Sequence, residues 1–81
     1  MDKLWIGNVP PDTSDEELLE LVKKYSGLDG QLSERIPGDG SRPAVIIVFA
    51  GAPFGAVTEL ALRLQGLRWK ECTIHASTLQ H

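Results

Sequence analysis

Two stretches of this chain carry apolar residues at helical spacing, and neither stretch can hide them alone. Leu18, Leu21, Val22 and Tyr25 fall at i, i+3, i+4 and i+7, and Val57, Leu60, Ala61 and Leu64 repeat that pattern. Each set makes one apolar stripe on an otherwise polar helix, so both helices need a shared apolar surface to cover. Segments of strand character can supply it: "KLWIGNV" before the first helix, "QLSERI" and "PAVIIVF" between the two, and "ECTIHAS" after the second. The element order therefore reads βαββαβ. With 81 residues, 42% of them hydrophobic, the chain has material for one modest core. One domain over residues 1–78 is expected, with 79–81 as a tail.

Local signals set the helix ends. Ser14 and Glu17 have the spacing of a capping box, and Asp15, Glu16 and Glu17 suit the positive end of a helix dipole. This places the first helix from Asp15 to about Ser26, with Gly27 ending it. The second opens near Pro53, is supported by a Glu59–Arg63 pair at i, i+4, and closes at Gly66. Between the middle strands, "PGDGS" reads as a hairpin loop; no helix follows it, so it is not a phosphate cradle. Right-handed crossovers then put both helices on one face of a four-stranded antiparallel sheet, giving an α+β, ferredoxin-like βαββαβ sandwich with its other face open.

Side chains alternate across a strand, so the open face can be read off. If Leu4 and Ile6 point to the helices, Lys3, Trp5 and Gly7 point away from them. Turning Val45, Ile47 and Phe49 inward sends Arg42, Ala44, Ile46 and Val48 outward. In the last strand Cys72, Ile74 and Ala76 go in, while Thr73, His75 and Ser77 go out. Regular alternation in the second strand, with Leu32 and Ile36 inward, places Ser33 and Arg35 on the open face. The expected face is an apolar centre rimmed by base.

Charge narrows the function. A net charge of -3 and a pI near 5.2 count against binding nucleic acid mainly by neutralising phosphates. The acid is concentrated, however: Asp12, Asp15, Glu16, Glu17 and Glu20 lie in one stretch, and the remainder carries a net +2. No apolar run approaches the roughly 20 residues that span a bilayer, and the single cysteine, Cys72, cannot form an internal disulfide. The expectation is a soluble, intracellular protein without membrane contact, with the cytoplasm favoured and the nucleus left open. Cys72 reads as a small buried hydrophobe with no base to activate it, and His75 has no partner at metal-ligand spacing. No nucleophile, acid and base set is present, so neither catalysis nor a cofactor is expected. Trp69 is expected to cap the core edge, and Asn8 to hold the strand-to-helix loop.

"LWIGNVP" at the first strand, "TSDEELLELVKKYSG" over the first helix and "LALRLQG" at the end of the second resemble the RNA recognition motif (RRM) family, and the likeness covers nearly the whole chain. The family's first-strand motif has the form aliphatic, aromatic, aliphatic, variable, Asn, Leu. "LWIGNV" fits it, with Trp5 at the aromatic position and Asn8 at the Asn. The family's third-strand motif falls on "RPAVIIVF", where Arg42 and Phe49 fit. Pro43 stands for Gly, and Ala44 and Ile46 stand where the family carries platform aromatics. The resemblance implies strand order 4-1-3-2 and a stacking platform with two of three rings missing. Base stacking on an aromatic is worth about 1 to 3 kcal/mol per base, so the loss amounts to roughly 2 to 6 kcal/mol.

Two functions follow. In the first, single-stranded RNA lies across the open face, with a base stacked on Trp5, contacts to Ala44, Ile46 and His75, and phosphates passing Lys3, Arg35 and Arg42. In the second, the strip of Trp5, Ala44, Ile46 and Val48 receives a protein partner or a second copy of the chain, or the acidic first helix meets a basic partner.

Overall fold

The computed structural model describes residues 2–10, 12–36, 43–53 and 55–79. The expected "PGDGS" hairpin loop and Arg42 lie outside the described residues. The elements run β1 (Asp2–Gly7), α1 (Asp15–Ser26), β2 (Gln31–Ile36), β3 (Ala44–Phe49), α2 (Ala56–Leu64), β4 (Arg68–Trp69), β5 (Cys72–Thr73) and β6 (His75–Leu79).

The capping box forms as its spacing predicts. The Glu17 N–H donates to Ser14 Oγ at 3.2 Å, and the Ser14 N–H donates to Glu17 Oε1 at 3.0 Å. Two otherwise orphaned backbone donors are thereby satisfied. At the other end Gly27 takes a left-handed φ of 73° and donates its N–H to the Lys23 carbonyl, which stops α1. The second helix is shorter than the sequence suggests. Gly55 sits at φ 80° as its N-cap, so helical dihedrals begin only at Ala56, beyond Pro53.

Four strands form an antiparallel sheet in the order β2-β3-β1-β6, with both helices against one side. This is the expected 4-1-3-2 order, with β6 as the fourth sheet strand. Inward residues Leu4, Ile6, Val45, Ile47, Phe49, Ile74 and Ala76 join Leu18, Leu21, Val22, Val57, Leu60, Ala61 and Leu64 in a single core. Each large apolar side chain so buried contributes about 1.5–3 kcal/mol, which is what holds the amphipathic helices to the sheet.

Two expectations about the strands are corrected. The "ECTIHAS" segment is not one strand. Cys72–Thr73 pairs instead with Arg68–Trp69 in a separate hairpin, turning at Lys70 and Glu71. Ile74 bonds back to the segment after α2, accepting from Gly66 at 2.9 Å and donating to the Leu67 carbonyl at 2.9 Å. The sheet strand thus starts at His75 and reaches Leu79, which pairs with Lys3, so residue 79 belongs to the sheet and not to a tail.

The second correction concerns β2. Leu32 pairs with Ile47, but Glu34 pairs with Ile46, so Ser33 is an extra residue, a β-bulge that resets the alternation. Beyond it Arg35 lies opposite buried Val45 and Ile36 opposite Ala44. Arg35 is therefore on the helix side, and Glu34 and Ile36 are on the open face, the reverse of the expected parity. The physical reason is visible at the Arg35 side chain. Its Nε donates to Asp15 Oδ1 at 2.8 Å, and its Nη2 to the Thr13 carbonyl at 2.9 Å and to Asp15. The guanidinium ties β2 to the acidic start of α1.

Candidate functional site

The open face is organised in three rows that cross the strands. The central row runs Glu34, Ile46, Trp5, Ser77, and a lower one runs Gln31, Val48, Lys3, Leu79. An upper row holds Ile36 opposite Ala44 on one side and Gly7 opposite His75 on the other. Strand pairing supplies this placement, since directly opposed residues share a face with Cβ atoms about 4.5–5.5 Å apart.

Trp5 does not stand out from the sheet. Its six-membered ring leans along its own strand across Gly7, so close that a Cβ on Gly7 would lie 2.2 Å from Cη2 and 2.6 Å from Cζ2. A strand glycine is often the mark of such a close approach. The Trp5 side chain is half-buried, lying down on the backbone of a strand whose neighbours place Ile46 and Ser77 opposite residue 5. That arrangement turns an aromatic side chain into a flat, preorganised apolar surface, suited to a planar ligand.

Around the ring, Ala44, Ile46 and Val48 are each partly exposed, and Ile36 is 39% exposed. This apolar strip was expected in β3; the bulge extends it into β2. His75 is exposed beside Gly7 at the edge of the sheet. Gln65, just after α2, holds it there. The Gln65 Oε1 accepts from the Ala76 N–H at 2.8 Å, which orients the amide so that Nε2 faces His75 Nδ1 at 3.4 Å. A neutral ring whose Nδ1 accepts from that amide carries its proton on Nε2, a donor at the rim.

Base is scarcer here than alternation suggested. Among the described residues of the four strands, Lys3 and Glu34 are the charged side chains on the open face. Arg35 is withdrawn to the helix side as described above, and Arg42 lies outside the described residues. Ion pairs among the described residues lie elsewhere, as Lys23–Asp29, Arg35–Asp15, Arg63–Glu59 and Lys70–Glu17. Of the seven side chains singled out for RNA contact, the fold brings together Lys3, Trp5, Ala44, Ile46 and His75. The residues that sequence reasoning missed are Gly7 as the floor of the ring, Glu34 and Ile36 on the face, and Gln65 behind His75. Gly7 had a signal, a glycine inside a strand two positions after an aromatic; the others depend on register and on contacts distant in sequence.

Two further side chains fall where the sequence placed them. Asn8, at φ 61°, donates through Nδ2 to the Thr73 carbonyl at 2.7 Å and ties the end of β1 to β5. Trp69 is partly buried against the core edge, with Lys70 Nζ 5.4 Å from its ring centroid. No helix among the described residues is long and apolar enough to cross a membrane, and none of their His, Cys, Asp and Glu side chains form a group of three or more that could hold a metal ion.

No protein-family model and no curated protein matches the chain. Solved structures do. The third RRM domain of Mip6 superposes with a TM-score of 0.74 at 17% identity, over 94% of this chain and 90% of that one. The RRM domain of S. pombe Puf1 gives 0.65 at 12% identity, over 98% and 89%. The N-terminal RNA-binding domain of a hypothetical protein gives 0.58 at 21% identity, over 93% and 75%. At these identities the likeness establishes the fold.

Proposed function

We propose that this chain, an RRM-like domain by fold, binds single-stranded RNA on the helix-free face of its sheet, with one base stacked on Trp5 and low affinity. The observation that carries the reading is the Trp5 ring laid across Gly7, on a strand that pairs Trp5 with Ile46 on one side and Ser77 on the other. Stacking on such a ring accepts any base and is worth about 1 to 3 kcal/mol. Ile46 and Ala44 extend the surface without adding a π face. His75 offers a hydrogen-bond donor at the rim. Lys3, and Arg42 if it follows the parity of β3, are the phosphate contacts. The RRM domains that share this fold, and the neighbour described as an RNA-binding domain, support the same direction.

The test is a titration of short single-stranded RNA followed by backbone amide NMR. The expected outcome is shift changes on Lys3, Trp5, Ile46 and His75. Trp5→Ala should weaken binding about fivefold to 150-fold, the equivalent of one stacked base. With two phosphate contacts at most, the logarithm of the affinity should fall with that of salt at a slope of only about -0.7 to -1.4. No shift changes at low salt would end the RNA reading.

One observation favours a second reading, a protein-interaction surface. The bulge puts Ile36 beside Ala44, so the apolar strip crosses from β3 into β2 while Arg35 leaves the face. A face that ignores RNA but shifts on concentrating the protein would select that reading, with a second copy as the partner.

A further inference from the structure

Glu34 is the feature that the RNA reading leaves without a role. A carboxylate on a surface traversed by phosphates repels the backbone, and it sits in the central row, directly across Ile46 from Trp5. Without the bulge at Ser33 it would point to the helices, and Arg35 would stand on the face. The bulge exchanges a cation for an anion at this edge, and Arg35 is engaged with Asp15 and Thr13. Glu34 is exposed, and the ion pairs among the described residues are made by other side chains.

We propose that Glu34 reads the Watson–Crick edge of a base resting on Ile46 and makes the face selective for guanine. The inference rests on the RNA reading of the same face. Adjacent strands are about 4.8 Å apart, so Glu34 begins one strand away from Ile46 and two from Trp5. Its flexible stem brings the carboxylate to the edge of a base lying over Ile46. An ionised carboxylate only accepts hydrogen bonds, through two oxygens side by side. Guanine presents two adjacent donors, N1–H and the N2 amino group, which match that pair. Adenine and cytosine each set an amino donor beside a ring-nitrogen acceptor, which repels the second oxygen. Uracil holds its one N–H between two carbonyls, which repel both. Single-stranded RNA exposes these edges, unlike a duplex.

The experiment uses uridine pentamers with guanine, adenine, cytosine, inosine or uracil at the central position, titrated into the wild-type chain, Glu34→Gln and Trp5→Ala. Binding is read from amide shifts at Glu34, Ile46 and Trp5. A good bidentate pair discriminates by at least about fivefold, so the guanine pentamer should bind that much more tightly than those carrying adenine, cytosine or uracil. Inosine, which lacks the N2 amino group, should lose most of the preference. Glu34→Gln should bind all five alike, because an amide offers one acceptor and one donor; as an exposed site it should leave the circular dichroism spectrum unchanged. Equal wild-type affinities that still fall in Trp5→Ala would overturn the guanine proposal and leave the RNA reading standing. So would a guanine preference that survives in Glu34→Gln. Failure of every pentamer to shift the open face would remove the RNA reading and this proposal with it.

Discussion

Replacing Gly7 by alanine adds one methyl group beneath the Trp5 ring and tests whether the lying-down ring is the functional surface. The new Cβ would lie 2.2 Å from Cη2, 2.6 Å from Cζ2 and 3.0 Å from Cζ3. Carbon atoms rest at about 3.5–4.0 Å, so the far end of the ring must lift by more than about 1 Å. Because the obstacle is the end of a rotatable side chain, the ring moves and the strand stays. Forcing Trp5 off its rotamer costs about 0.5–1.5 kcal/mol, and exchanging glycine for alanine within a strand returns about 0.5–1 kcal/mol. Stability should therefore change by less than about 1 kcal/mol, while RNA binding weakens by up to the one-base stacking value of about 1–3 kcal/mol. Thermal unfolding and RNA titration measure the two effects, and Trp5 emission in a Trp69→Phe background reports the ring's displacement. The decisive comparison is a double-mutant cycle. If both substitutions act through the same ring, Gly7→Ala in the Trp5→Ala background should cost no further affinity. A further loss there, or wild-type binding in Gly7→Ala alone, would refute the reasoning.

Other perturbations separate the two faces and probe the packing that supports them. Ile47→Ala, at a side chain with 0% exposure, should cost about 2–5 kcal/mol of stability by chemical denaturation. The adjacent, partly exposed Ile46→Ala should cost clearly less, and should weaken RNA binding while Ile47→Ala acts only through unfolding. Glu17 is held below the usual carboxylate range, first by the hydrogen bond from Lys70 and then by the Ser14 backbone N–H. A lowered folded pKa gives a contribution that is present above the ordinary glutamate value of about 4.3 and is lost as pH falls through the lower folded value. Glu17→Gln should therefore be less stable than wild type at neutral pH, with the difference closing in acid; a gap that is constant with pH would count against the linkage. Lys70 and Glu71 turn the β4–β5 hairpin at φ 50° and 65°, angles that side-chain-bearing residues rarely adopt. Glu71→Gly should raise stability by about 0.5–1 kcal/mol in thermal unfolding, and a loss would mean that the turn is not strained.

What the chain specifies locally was legible in its sequence. The capping box at Ser14 and Glu17, the stop at Gly27 and the apolar stripes of both helices depend on residues within a few positions of one another, so periodicity and capping chemistry located them. Parity in β1 and β3 was legible for the same reason: Leu4 and Ile6, or Val45, Ile47 and Phe49, are apolar at every second position. "QLSERI" has no such alternation, and nothing local distinguishes a regular strand from a bulged one. Register there was decided by tertiary contacts, where Arg35 meets Asp15, 20 positions away, across the β2–α1 junction. That choice carried Glu34 and Ile36 to the open face and changed its charge. The split of "ECTIHAS" likewise depends on Ile74 bonding to Gly66 and Leu67, and the posture of Trp5 on the space left above Gly7. Sequence determined the two helices and which way the well-patterned strands face. Only the assembled sheet decided which side chains share its surface, because register and side-chain pairing are relations between segments that no single segment encodes.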